Sequence, residues 1–405
     1  MTALVTLPWH RSPLTPIAGL LAVGPVLAVA QFRAMAVAVT LALALSVLAH
    51  RRVTGAWPWP RPGLAGWLAV ALLGWCGVAV LWSPEKLRAA QTIGGLAVLL
   101  GLALMAARAV AAAPASRQVG LALAGGLAAG IVVAAVDHAS GNWLRLMVRG
   151  FPADMPFIGF GLKPAVSLLA LLLPLAFAVP LGWAWRGALL LAGLAVAAWL
   201  PAESARLAAL AGVLAAAGAM LLPRLVPRLA AALLAGFVVT APMVFALGLS
   251  LAPPLEPLPR SAAHRVLIWD FVVDRIAERP LLGWGMESAR AIPGGSARFP
   301  AEDLARFGLN SPAARQWFGV EAARRLPLHT HNASLQIWLE LGVAGALLAA
   351  ALGAAALLAA SGSPAIFGMA VSAVVTGQLS FGVWQPWWVG SVLFAAVVAV
   401  ALRRG

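Results

Sequence analysis

His329-Thr330-His331-Asn332-Ala333-Ser334-Leu335-Gln336-Ile337-Trp338-Leu339-Glu340-Leu341-Gly342-Val343-Ala344-Gly345 carries a polar loop into a membrane helix. Two histidines and an asparagine end the loop, and the chain then stays apolar to about residue 359. A bilayer core asks for about 20 consecutive apolar residues in helical form, and this run supplies them. The polar cluster therefore belongs where water meets lipid, a place where a titratable group can meet a lipid-linked substrate.

The same hydropathy extends outward over the chain. Of 405 residues, 62% are hydrophobic and 10% charged, and mean hydropathy is +0.93. Soluble domains carry roughly 25% charged residues. Twelve apolar stretches are long enough to span or nearly span a bilayer: 13–31, 34–50, 64–82, 89–108, 118–137, 163–182, 186–200, 204–222, 228–250, 332–359, 365–381 and 386–402. The runs are uninterrupted rather than alternating, which predicts helices and not a β-barrel. The expected fold is all-α, a polytopic membrane helix bundle of about twelve spans. The first stretch has no small-residue cleavage site and reads as a retained span.

Charge divides the loops. With a cytoplasmic N-terminus, one side collects Arg11, Arg51, Arg52, Arg61, Arg108, Arg117, Arg186, Arg224, Arg228, Arg403 and Arg404, with no acid among them. All 13 acidic residues fall on the other side or at its interface: Glu85, Asp137, Asp154, Glu203, Glu256, Asp270, Asp274, Glu278, Glu287, Glu302, Asp303, Glu321 and Glu340. Arginine near span ends marks cytoplasmic loops. This predicts cytoplasmic termini and three regions: spans 1–9 over residues 1–250, a periplasmic loop over 251–330, and spans 10–12 over 331–405. The net charge of +15 is dispersed at span ends, where it anchors topology and attracts anionic lipid. No basic run with interleaved aromatics points to nucleic acid. A single cysteine, Cys76, allows no intrachain disulfide, so the loop must hold itself by packing.

The loop reads as an organised element. A Pro-rich entry, 252–259, precedes a helical pattern from Ser261, a candidate cap, to Glu278. Val266, Trp269, Val273 and Ile276 share one helical face, with Arg265, Asp270, Asp274 and Glu278 elsewhere, which predicts an amphipathic helix at the membrane surface or across the bundle. The segment Pro280-Leu281-Leu282-Gly283-Trp284-Gly285 is rich in turn signals, and 298–325 holds one or two further short helices.

The spacing His331-Asn332, nine residues, then Gly342-x-x-Gly345 resembles the signature of the O-antigen ligase and O-antigen polymerase family, bacterial inner-membrane enzymes that move glycans from a polyprenyl-diphosphate carrier. Arg265 and Trp269 followed by 280–285 resemble that family's Arg/Trp helix and its Pro-Leu-Leu-Gly-x-Gly segment. Glu203-Ser204-Ala205-Arg206 is similar to its Ser-Arg pair, with an intervening alanine, and Arg149 to Lys163 resembles the region before its sixth span. The resemblance covers about 200–345. It implies transfer of a glycan from a polyprenyl-diphosphate-linked donor to an acceptor hydroxyl at the periplasmic face, without a cofactor. The acceptor is lipid A core for a ligase and a growing glycan for a polymerase; a protein acceptor is a third form. A lipid-glycan flippase is the reading from another class, but it would place polar groups near the bilayer midplane.

Residue chemistry fits that picture. A guanidinium donates two charge-assisted hydrogen bonds to phosphate and stays charged. Arg206 and Arg265 are accordingly the candidate catalytic clamps on the leaving diphosphate, although an arginine at a span end also snorkels to the interface. His331 is the candidate base that takes the acceptor proton. Asn332, Arg149, Lys163, Trp269 and His329 are candidate substrate-binding residues, and Asn332 equally suits a helix cap. Gly342 and Gly345 read as small-residue helix packing. No Walker loop, dinucleotide loop or metal-type Cys/His set occurs. His329-x-His331 lacks an evident third ligand, so no metal is expected.

Overall fold

A computed structural model describes residues 12–114, 117–152 and 161–403. Arg11, Asp154 and Arg404, which enter the charge argument, lie outside them. The described residues form sixteen α-helices: α1 (Leu14–Gln31), α2 (Ala34–Thr54), α3 (Leu64–Ala79), α4 (Lys86–Ala112), α5 (Arg117–Ala139), α6 (Trp143–Arg149), α7 (Leu162–Leu172), α8 (Trp183–Trp199), α9 (Glu203–Leu221), α10 (Leu225–Ser250), α11 (Arg260–Glu278), α12 (Ala301–Arg306), α13 (Pro312–Phe318), α14 (Ala333–Ala360), α15 (Pro364–Leu379) and α16 (Pro386–Leu402). The protein is an all-helical, polytopic membrane bundle. Eight helices are long and apolar enough to cross a bilayer, and four apolar ones, Leu162–Ala178, Trp183–Trp199, Pro364–Leu379 and Pro386–Leu402, are shorter. Those twelve coincide with the twelve apolar stretches of the sequence.

Small residues bring the spans together. Between α9 and α15, a Cβ on Gly212 would lie 2.8 Å from the Gly368 carbonyl oxygen, so the backbones touch as small-residue interfaces in membranes allow. Large aliphatic side chains face outward instead: Leu191, Leu233 and Leu247 are all exposed. At one end of the bundle Arg51 lies 4.3 Å from the Trp57 ring and Arg186 4.8 Å from Trp183. Trp59 and Trp185 stand exposed beside them, an aromatic belt of the kind found at membrane–water boundaries.

The other end carries residues 251–332, folded around a core of Leu267, Ile268, Phe271, Val272, Phe307 and Phe318. The expected second stretch resolves into two short helices, α12 and α13. Two expectations about α11 need correction. It begins at Arg260 with Pro259 before it and no side-chain cap, so Ser261 sits in the first turn. The stripe Val266, Trp269 and Val273 is only partly buried; the buried face is Ala263, Leu267, Ile268, Phe271, Val272 and Ile276. The reason is that α11 has partners on two sides. Its buried face meets the loop's own core, and its flank meets α10 and α14. Ion pairs Arg306–Asp270 at 3.0 Å and Arg325–Asp303 at 2.7 Å tie the periphery; exposed pairs of this kind contribute about 0–1 kcal/mol each, so apolar packing dominates.

Residues 280–286 lie directly on α14. Trp284 N–H donates to Leu339 O (2.8 Å), Gly285 N–H to Glu340 O (2.9 Å) and Val343 N–H to Pro280 O (3.0 Å). At the contact α14 breaks: Gly342 has φ 64° and ψ −162°. A Cβ on Gly342 would sit 2.2 Å from Leu281 O, and one on Gly345 2.2 Å from the Leu341 Cβ one turn back. The two glycines therefore serve a break in one helix, not the helix–helix packing expected of them. Glycine is needed at Gly342 because a side chain is disfavoured at positive φ and has no room.

Candidate active site

The His-Asn turn is fixed from three directions. Asn332 caps α14: its Oδ1 accepts from Leu335 N–H at 2.9 Å, and its Nδ2 donates to Gln378 O at 3.3 Å. Ser334 donates through Oγ (3.0 Å) and N–H (3.3 Å) to Gln378 Oε1, which pins the turn to α15. Trp269 of α11 donates from Nε1 to Thr330 O at 2.9 Å, so it positions the turn from the loop side. Thr330 Oγ1 donates to Asn332 O at 2.6 Å. Thr330 and Asn332 are buried at 0% and 3% exposure. This web holds His331 at φ 56°, a conformation that costs a non-glycine residue of order 1 kcal/mol or more.

Hydrogen bonds fix both tautomers. His331 Nδ1 lies 2.8 Å from Ser380 O. A carbonyl only accepts, so Nδ1 carries the proton and Nε2 keeps its lone pair. His329 Nδ1 accepts from His331 N–H at 3.2 Å, which places the His329 proton on Nε2. The two rings stack with centroids 4.2 Å apart. Ser380 Oγ in turn shares a 2.6 Å hydrogen bond with Ser204 Oγ of α9.

Two cations converge on this pair. Burial first, then the charges of His329, Lys163 and Arg265, hold the His331 imidazole well below its ordinary basicity, against the opposing Ser380 hydrogen bond. The same effects, with Arg290 added, push His329 down to about 3. The Lys163 ammonium and the Arg265 guanidinium make no hydrogen bond or ion pair among the described residues. Lys163 Nζ lies 5.2 Å over the Phe381 ring, and Glu203 is the acid that offsets the desolvation of Arg265. Burying unpaired positive charge is costly unless an anion completes it.

The other expected residues separate. Arg206 is exposed and donates from Nε to Ala197 O at 3.3 Å; its helix reaches the site through Glu203 and Ser204 instead. Arg149 caps α1, donating to Ala30 O (2.9 Å) and Val29 O (3.3 Å). Ser380, Gln378 and Phe381 are additions to the residues singled out in the sequence, and Glu203 and Ser204, noted there only beside Arg206, take its place at the site. Gln378 alone carried a signal, as an uncharged polar residue inside an apolar span. No three of His, Cys, Asp and Glu gather as a metal site among the described residues.

Below the turn lies an apolar crevice of about 670 Å³. It extends from Ser334 and Gln378 to Arg403 at the opposite end, between walls that include Leu72, Leu96, Ile337 and Leu393.

Comparison with known proteins finds likenesses over part of the chain. Over 150 residues, 36% of this chain, the sequence is 31% identical to a Rickettsia conorii protein named "Putative polysaccharide ligase". Proteins of the same description from Rickettsia felis and Rickettsia prowazekii are 31% and 32% identical over 150 residues. The matched stretch spans about a third (33%) of the length of these curated relatives. No solved structure matches. Residues 165–350, which hold Arg265, Trp269, the 280–285 segment, His331 and Gly342, match the family described as O-antigen ligase, so over that segment the chain is similar to O-antigen ligases.

Proposed function

We propose that the protein is a metal-independent glycosyltransferase of the bacterial inner membrane. It moves a glycan from a polyprenyl-diphosphate carrier to a hydroxyl of lipid A core at the periplasmic face. The observation that carries this reading is the juxtaposition of two unpaired, desolvated cations, Lys163 and Arg265, with an imidazole whose tautomer leaves Nε2 free. The likeness of residues 165–350 to O-antigen ligases and the polysaccharide-ligase name of the relatives support the reaction class. The apolar crevice under the turn supports a donor whose lipid chain descends into the bilayer from the reacting end.

The chemistry is a single displacement. The acceptor hydroxyl gives its proton to His331 Nε2 as its oxygen bonds to the anomeric carbon. The bond from that carbon to phosphate breaks, and its electron pair leaves with the diphosphate. Lys163 and Arg265 stabilise the charge that grows there. Arg265 suits phosphate through its bidentate fork, and Lys163 acts as a point charge. The bound diphosphate also offsets the positive field on His331 and restores basicity in the loaded site. Arg206 and Arg149 support the walls rather than the leaving group, and Asn332 and Trp269 hold His331 in place.

The test is a reconstituted transfer assay with polyprenyl-diphosphate-linked glycan and lipid A core. His331→Ala is expected to lower transfer by about 10²–10⁴-fold while donor binding persists. Arg265→Ala and Lys163→Ala are expected to weaken donor binding, with Arg265→Lys a poor rescue. A loss below about tenfold for His331→Ala, or a strict requirement for added Mg²⁺, would sink the mechanism.

A further inference from the structure

A second, polar cavity of about 220 Å³ borders His329. Arg88, Arg290, Glu287, Gln385 and Trp384 line it with His329; His331, Lys163 and Arg265 do not. Its two guanidiniums are available. Arg290 makes no ion pair among the described residues, and Arg88 meets Glu85 only at 3.4 Å with both side chains well exposed. Such a pair is worth little and yields readily to a ligand. The rest of the wall is already fixed. Glu287 Oε1 accepts from Thr92 Oγ1 at 3.0 Å, and Trp384 Nε1 donates to buried Glu340 Oε2 at 2.7 Å. Glu340 Oε2 also accepts from Glu287 N–H at 2.7 Å. The cavity is thus preformed: an indole, an amide, a carboxylate oxygen and two cations beside a histidine whose ring proton sits on Nε2. A flat ring with several hydroxyls and one negative group matches that set. The volume suits one sugar rather than a diphosphate with its lipid.

We infer that this cavity seats the terminal sugar of the acceptor, and that this sugar is anionic, held by Arg88 and Arg290. The inference rests on the proposed transfer reaction, in which Lys163 and Arg265 take the donor. His329 joins the two sites, since it lines this cavity and its ring stacks on His331 at 4.2 Å.

Binding to the purified full-length protein in detergent tests this, read by saturation-transfer NMR with glucose, glucose 6-phosphate and glucuronate as probes. Both anionic sugars are expected to bind roughly tenfold or more tightly than glucose, the scale of a charge-assisted hydrogen bond. The Arg88→Gln/Arg290→Gln double variant should lower them to the level of glucose, and Arg88→Lys/Arg290→Lys should recover part of the difference. Inorganic phosphate should compete only at clearly higher concentration; equal competition would overturn the sugar assignment. No preference for the anionic sugars, or a preference that survives the Gln variant, would overturn the site. So would a preference lost in Arg265→Ala, because the anion would then sit on the donor clamp. Geranylgeranyl diphosphate binding, measured on the same samples, separates the two ideas. If Arg265→Ala leaves it intact, the donor reading fails while the sugar result still decides this cavity.

Discussion

His331 takes its chemistry from what surrounds it rather than from its own ionisation. The Ser380 carbonyl directs its proton to Nδ1, and burial with the nearby cations keeps the ring neutral in the empty site. The sign of the pH effect follows. An ordinary imidazole is half protonated near pH 6.5; this one stays unprotonated to lower pH, so the acid limb of kcat/KM, which reports free enzyme, is expected well below that ordinary position. The limb of kcat reports the loaded enzyme, where the diphosphate offsets Lys163 and Arg265, and is expected at higher pH. Paired pH profiles of the two parameters check this. Coincident limbs near pH 6.5 would show that neither burial nor the cations govern His331. The imidazole itself was legible in the sequence from the His331-Asn332-x9-Gly342 spacing. Its partners were not, because Ser380 contributes a backbone carbonyl, and a carbonyl leaves no mark on residue identity. Lys163 became central for a similar reason: Arg265 lies about a hundred residues away in the chain, and only the folded structure brings both charges to bear on His331.

At the scale of elements, the two motifs that looked separate in sequence are one contact. The Pro280–Gly285 segment lies on the break in α14, backbone against backbone, and the cost of the break falls on Gly342. Gly342→Ala should therefore misplace the turn that carries His331, through a Cβ 2.2 Å from Leu281 O and through positive-φ strain of about 1–3 kcal/mol. A lower Tm in detergent and a loss of transfer are both expected. Gly353→Ala on the same helix is the control. There the nearest atom is the tip of Leu234 at 2.8 Å, a flexible side chain that gives way at little cost, so Tm and transfer should change little. Equal effects of the two substitutions would remove the special role of the break. The helicity of α11 was legible from its periodicity, but its buried face was not. A hydrophobic stripe shows that a helix is amphipathic, and α11 has apolar partners on two sides, so the stripe alone did not say which side would be buried more deeply.

Across the whole molecule, hydropathy settled the bundle because a bilayer admits few alternatives: backbone polar groups must be satisfied within each span, so apolar runs become helices. Charge then separates the two ends. Arg51, Arg52, Arg61, Arg117, Arg186, Arg224 and Arg403 lie at the ends of spans away from the His-Asn turn, and Glu85, Glu203, Glu287 and Glu340 lie at or beside it. Moving one positive charge outward against a 100 mV inside-negative potential costs about 2.3 kcal/mol, so a set of short arginine-bearing loops has one strongly favoured side. Reporter fusions after Arg404 and within 50–62 should therefore read as cytoplasmic, and insertions within 290–320 as periplasmic. Exposed positions within that stretch, such as Ala301 and Glu302, take the tag while the turn stays held by α11 and α15. The proposed reaction depends on the outcome, since Lys163, Arg265 and His331 share the end that bears this loop. A cytoplasmic signal from 290–320 would place the reacting end inside the cell and overturn the periplasmic transfer reaction, whatever the activity of the individual variants.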